Sequence, residues 1–157
     1  MTKVLITGSS GFLGRNLITT LQERDSSVVI VPFDLDTGCN LLDFKGTGEL
    51  LERERPDFVV HLAAVADLNK YTDASHSINV DASQSLITQC CTLGIKIIFA
   101  STCCAYGGNM LSVSTEQSHL RPMEDYAVSK VLVENWIRQL PDADRSLVTI
   151  IRLATFY

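Results

Sequence analysis

The 157-residue chain contains no apolar run approaching the ~18 residues that a membrane span requires, and no excess of basic charge. Its 13 lysines and arginines stand against 18 aspartates and glutamates, a formal net charge of −5. The first lack argues against a transmembrane segment, and the second against a nucleic-acid partner, whose phosphates call for a basic stripe. The five cysteines form no Cys-x-x-Cys pair, since Cys39 stands alone and Cys90-Cys91 and Cys103-Cys104 are adjacent doublets. Neither a metal site nor a disulfide framework is expected from them. They read as small buried hydrophobic side chains in a reducing compartment. No basic region followed by an apolar segment opens the chain, so the expected location is cytoplasmic. Repeats and low-complexity tracts are also missing, and 157 residues suffice for one domain with a sizeable core, so one domain over residues 1–157 is the expectation.

What is present is organised around Lys3-Val-Leu-Ile-Thr7-Gly8-Ser-Ser-Gly11-Phe12-Leu13-Gly14. A short β-branched and leucine run ends at glycine, and the apolar spacing then changes to Leu13, Leu17 and Leu21. The pattern reads as buried strand, glycine turn and helix. Gly8 suits the tight turn, Gly11 lets backbone approach a ligand, and Gly14 lets the helix pack closely on the strand. Free N–H groups at the helix start would then face a pyrophosphate. Asp34, twenty residues beyond Gly14, closes the second strand-like run Val28 to Phe33. There a carboxylate would meet an adenosine ribose hydroxyl.

Further along, 34–43 is rich in turn formers, and a short helix is expected from about Thr47 to Arg55, halted by Pro56. Phe58 to Ala64 reads as a third strand ending in small residues, and Asp73 as the cap of a helix that Gly94 ends. Ile95 to Ala100 is a fourth strand with Ser101-Thr102 at its end, 103–124 a loop, Tyr126 to Leu140 a helix and Leu147 to Leu153 a last strand. This alternation predicts an α/β fold, a Rossmann-type open parallel sheet with helices on both faces. Ligands of such sheets bind beyond the C-terminal strand ends, which carry Gly8, Asp34, Ala63 and Thr102.

The helix from Tyr126 holds the strongest chemical signal. At about 100° per residue, Tyr126, Lys130, Val133, Ile137 and Leu140 share one stripe, so the face that meets the sheet runs into a tyrosine and a lysine. A lysine so placed is costly without partners. Beside the phenol its charge would lower the tyrosine pKa, making the pair a proton exchanger for an alcohol or carbonyl. The competing reading is a Lys130 that reaches solvent and a Tyr126 that merely packs.

Taken together, Thr7-Gly8-x-x-Gly11-Phe12-Leu13-Gly14, His61-Leu-Ala63-Ala64, Asn79-Val-Asp, Thr102 before Ala105-Tyr106-Gly107, Tyr126-x-x-x-Lys130 and Arg152 resemble the extended short-chain dehydrogenase/reductase family over effectively the whole chain. The resemblance implies an NAD-dependent epimerase, dehydratase or reductase acting on a nucleotide sugar. It implies Tyr126 as acid/base, Lys130 on the nicotinamide ribose and Thr102 on the substrate oxygen. Gly8, Gly11, Phe12, Leu13, Gly14, Asp34, Asn40, Leu41, Ala63, Ala64 and Asn79 would bind the cofactor. A homodimer through the Tyr126 helix, offering Leu132 and Trp136, is also implied, as is a C-terminal substrate domain beyond this sequence. Three departures are visible: Asn40 stands where an aspartate is usual, Glu124-Asp125 precede the tyrosine, and Thr155 stands after Arg152 where an asparagine is common.

Two other readings stay open. One is an NAD-binding module or inactive fragment without turnover, which would need the glycines and Asp34 but no proton relay. The other is an NADP-linked carbonyl reductase, disfavoured by the charge of Asp34 and kept open by Arg15. His61, at a buried strand end, reads as a hydrogen-bonded core histidine.

Overall fold

The computed structural model describes residues 1–66, 71–108 and 113–154. Among these described residues five strands form one parallel sheet: β1 (Lys3–Thr7), β2 (Val29–Phe33), β3 (Phe58–His61), β4 (Lys96–Thr102) and β5 (Val148–Leu153). Their order across the sheet is β2-β1-β3-β4-β5. β2 is an edge strand, where Pro32 withholds no needed N–H from a ladder.

Helices α1 (Phe12–Arg24), α2 (Phe44–Glu54), α3 (Asp73–His76), α4 (Ser83–Leu93), α5 (Asp125–Arg138) and α6 (Asp142–Arg145) fill the connections. The chain steps from β1 outward to β2 and then back across β1 to β3, β4 and β5. With right-handed crossovers, α1 therefore lies on one face and α2, α4 and α5 on the other. On that second face α2 packs on α4, and α5 on β4. Leu5, Val59, Ile97 and Val148 stand in register beneath them, followed by Thr7, His61, Phe99 and Ile150. The first of these rows is hydrocarbon, whereas the second is half polar. The core thus gives way to a buried polar layer as the strands approach their C-terminal ends.

The boundaries differ from the sequence pattern where side chains take over backbone bonding. β3 stops at His61, not Ala64, because Leu62 N–H still reaches the Thr7 carbonyl but Ala63 N–H turns to the Thr7 hydroxyl, 3.2 Å away. α2 starts before Thr47 because Asp43 accepts the Gly46 N–H at 3.0 Å. Thr72, not Asp73, caps α3, exchanging side-chain and backbone bonds with Ser75 in a capping box. Residues Ser77–Ala82 widen into a π-helical stretch between α3 and α4, and 3₁₀ turns occupy Leu35–Thr37 and Cys103–Tyr106 within segments read as irregular. Of the five free cysteines only Cys90 is fully buried, and burial first, then its neighbour Cys91, push its thiol up to about 12. Cys104 is exposed, a departure from the reading of these residues as buried. No described helix is long and apolar enough to cross a membrane.

Candidate functional site

At the C-terminal ends of β1, β2 and β3 lies a groove of about 390 Å³, lined among others by Gly8, Gly11, Asp34, Asn40, Leu41, Ala63 and Ala64. Seven residues singled out from the sequence thus meet in one concavity. Gly8 takes φ +70, and a Cβ there would sit 2.7 Å from the Ala63 nitrogen, so only glycine permits this approach of turn and strand end. At Gly14 a Cβ would run into the Gly8 carbonyl oxygen, which fixes α1 hard against the turn. Phe12 is exposed and Leu13 half-buried, and with Gly14 both lie on α1 outside the lining of the groove.

The electrostatics of the groove follow from α1. Its N-cap is Gly11, without a capping side chain, and no acidic residue occupies the first turn. The first N–H groups of a helix have no partners within it and carry the positive end of its dipole. Asp34 is anchored by one oxygen, Oδ2, which accepts the Ser10 N–H at 3.0 Å, and its side chain also faces the Thr37 backbone N–H in a capping box at the start of the 3₁₀ turn. Asn40 uses its side-chain oxygen on Leu42 N–H at 3.0 Å, tying the groove's far wall. Arg15 donates to the Ser10 carbonyl and is outside the lining. Asn79 is also outside it. Fully buried, Asn79 accepts from Val65 N–H at 2.8 Å and donates to the Val65 carbonyl at 2.9 Å, so it holds the groove wall from behind.

Thr102, Tyr126 and Lys130 stand at the neighbouring strand end and on α5. Thr102 is 7% exposed and accepts the Cys104 N–H at 3.1 Å, which starts the 3₁₀ turn. Lys130 is 1% exposed, so it does not reach solvent. Its Nζ lies 4.8 Å from the Phe99 ring centroid and 5.8 Å from that of Tyr126. Burial pushes its pKa down to about 8. The expected lowering of the Tyr126 pKa is not found. Burial first, and then the nearby Cys104 thiol, raise it, because withdrawal of the phenol from water disfavours the charged phenolate.

One participant was not legible in the apolar pattern. Glu134, completely buried, stands one turn beyond Lys130 on the same stripe as Tyr126 and Lys130. It accepts from Ser101 Oγ at 2.5 Å, from Arg152 Nε and Nη2 at 3.0 and 2.6 Å, and from Arg138 Nη2 at 3.0 Å. Burial pushes its pKa up, but the bonds from Arg152 and Ser101 prevail and hold it low. Arg152 in turn donates to the Tyr106 hydroxyl at 2.9 Å. The i, i+4, i+8 spacing from Tyr126 was the available signal.

A family model described as "NAD dependent epimerase/dehydratase family" matches residues 4–157. Among curated proteins, a GDP-6-deoxy-D-talose 4-dehydrogenase of Aggregatibacter actinomycetemcomitans is 28% identical over 146 residues, which are 87% of this chain and 48% of that protein. Among solved structures, a UDP-Glc/GlcNAc 4-epimerase from Campylobacter jejuni superposes with a TM-score of 0.83 at 27% identity, covering 97% of this chain and 53% of the other. A dTDP-4-dehydrorhamnose reductase from Bacillus anthracis, in complex with NADP, gives a TM-score of 0.85 at 23% identity, covering 98% and 54%. That last likeness speaks to the fold alone. The chain spans about half the length of the curated relative it matches.

Proposed function

The chain belongs to the NAD dependent epimerase/dehydratase family, and on that premise we propose that it holds NAD in the groove at Gly8 and Asp34 and serves oxidoreduction at a carbon of a nucleotide sugar. The observation that carries this reading is the pairing, in one groove at the C-terminal strand ends, of an uncapped α1 N-terminus with the Asp34 carboxylate, which the Ser10 N–H holds beside the glycine turn. The donor set fits the cofactor: the first-turn N–H groups of α1, which no side chain caps, suit a pyrophosphate, and a carboxylate suits a ribose diol. Leu41, Ala63 and Ala64 offer apolar walls to an adenine, with Phe12, Leu13 and Gly14 shaping the turn from α1.

When bound, NAD supplies the acceptor and donor of hydride. The chain's own residues would move the accompanying proton. In this reading Tyr126 takes it from, or returns it to, a sugar oxygen, and Thr102 hydrogen-bonds that oxygen. Lys130 binds the nicotinamide ribose and supports the phenolate electrostatically. Because burial raises the Tyr126 pKa in this structure, that support would have to come from the loaded site, with Lys130 holding the nicotinamide ribose. Arg15 is engaged at Ser10, which favours NAD over an NADP-linked carbonyl reductase.

A cytoplasmic homodimer through α5 belongs to the same proposal. Leu132 is 44% exposed there, whereas Trp136 packs partly against the core and contributes less. Sedimentation at tens of micromolar tests the association. The function itself is tested by incubating the protein with NAD and a panel of UDP-, GDP- and dTDP-sugars while following nicotinamide absorbance and product sugars. Conversion of one of them supports the reading. NAD binding without a response to any nucleotide sugar favours the binding-module alternative.

A further inference from the structure

His61 is fully buried and takes no part in the proposed chemistry, yet it ends β3 directly before the groove-lining residues Leu62 to Val65. Its Nδ1 lies 2.6 Å from Thr7 Oγ1 and its Nε2 2.9 Å from Ser83 Oγ. The direction of every bond in this chain can be worked out. The Asn79 carbonyl has only lone pairs, so the Ser83 hydroxyl, 2.7 Å away, donates to it. With its proton so used, Ser83 Oγ accepts from His61, which requires a proton on Nε2. Nδ1 is then a lone pair and accepts the Thr7 hydroxyl proton, and Thr7 Oγ1 accepts the Ala63 N–H at 3.2 Å.

The result is a one-way series, Ala63 N–H to Thr7 to His61 to Ser83 to the Asn79 carbonyl, with all donors and acceptors matched. A second proton on the ring would reverse the Thr7 bond and strand its hydroxyl hydrogen. One end of the series is in the groove wall and the other holds that wall from behind. Ala63 lines the groove against Gly8, and the Asn79 side chain grips both backbone groups of Val65, another lining residue. From Asn79 the contacts continue to Ser129 Oγ at 3.4 Å, which donates to the Tyr126 carbonyl at 2.6 Å.

We propose that His61, as the neutral Nε2–H tautomer, is a positioning residue for the dinucleotide groove. Through Thr7 on one side and Ser83 and Asn79 on the other, it fixes the 63–65 segment at the height above the Gly8 turn that admits the cofactor. This rests on the dinucleotide reading above. A His61 that merely stabilised the fold would leave the cofactor affinity of the folded protein untouched.

The test compares wild type, Thr7→Val and Thr7→Ser by calorimetric titration with NAD, at a temperature where circular dichroism shows all three folded. Valine keeps the shape of threonine but neither hydrogen bond, whereas serine keeps both. The expected result is at least about tenfold weaker NAD binding for Thr7→Val and a value within about twofold of wild type for Thr7→Ser. Long-range ¹H–¹⁵N spectra of wild type should show His61 protonated at Nε2 alone. Should Thr7→Val not fold, Ser83→Ala, which removes the acceptor of Nε2–H, carries the same comparison. Unweakened NAD binding by the folded variant, or a His61 proton on Nδ1, overturns the proposal. Absence of NAD binding by wild type would instead overturn the dinucleotide reading, and the tautomer measurement would still decide whether the series exists.

Discussion

Glu134 on α5 and Arg152 on β5 form a two-pronged ion pair, Nε and Nη2 of the arginine on the two oxygens of a carboxylate with no exposure to solvent. Arg152 is the register partner of Ser101, which donates to the same carboxylate and directly precedes Thr102. One buried anion therefore joins α5 to both strands at the end of the sheet where Thr102 stands. Glu134→Ala should lose about 3–5 kcal/mol of folding stability, because it leaves a largely buried guanidinium without its counter-charge. Replacing both together, Glu134→Leu with Arg152→Met, should cost much less than the sum of the single changes. Urea unfolding with an unchanged m-value measures both. Additive losses would show that the pair is not coupled.

Lys130 bears on stability in the opposite sense. Burial lowers its pKa from 10.5 to about 8, so between those values the unfolded chain binds more protons than the native one. The burial penalty is fully present below pH 8 and is relieved as pH rises from 8 to 10.5. Lys130→Met should accordingly stabilise the fold at pH 7 by about 1–3 kcal/mol, a rise of several degrees in Tm, while weakening NAD binding. The stability difference between variant and wild type should shrink above pH 8. A variant less stable than wild type at pH 7 would contradict this.

For His61 the window lies in acid. Burial first, and then the charge of Lys130, lower its pKa from 6.5 to about 3. The native state keeps it neutral while the unfolded chain takes up a proton, so stability should fall as pH drops from 6.5 towards 3. The loss attributable to this one group is of the order of a few kcal/mol at the acid end. Urea unfolding across that range should show a steeper acid decline in wild type than in His61→Gln. Parallel profiles would refute it.

Tyr126→Phe separates binding from chemistry. NAD affinity should hardly change, and conversion of a responsive nucleotide sugar should fall by about 10²–10⁴-fold through kcat. Undiminished turnover would return Tyr126 to a packing role.

Much of this arrangement can be read from the residues in order. The glycine spacing and Asp34 foretell the groove, because a tight turn and a close backbone approach leave few residue types available. The burial of Lys130 is legible because Val133 and Ile137 fix which side of α5 meets the sheet. Glu134 was hidden by the same logic, since a glutamate between apolar positions reads as solvated until Arg152, from a distant strand, is brought beside it. The end of β3 and the cap at Thr72 were misjudged for a related reason. Both depend on hydroxyl groups competing with the backbone, a competition that hydrophobic periodicity does not register. The direction of the Tyr126 pKa shift depended on depth of burial, which i, i+4 spacing alone does not reveal.

The most direct test of the account is calorimetric titration of the wild-type protein with NAD and, separately, NADP, repeated on Asp34→Ala. The Asp34 carboxylate, in the groove wall, should accept from a ribose diol and repel a 2′-phosphate. Wild type should therefore bind NAD at least about tenfold more tightly than NADP, a difference of roughly 1.4 kcal/mol, and Asp34→Ala should lose most of that preference. Absence of NAD binding, or NADP binding as tight as NAD in wild type, would contradict the assignment of the groove.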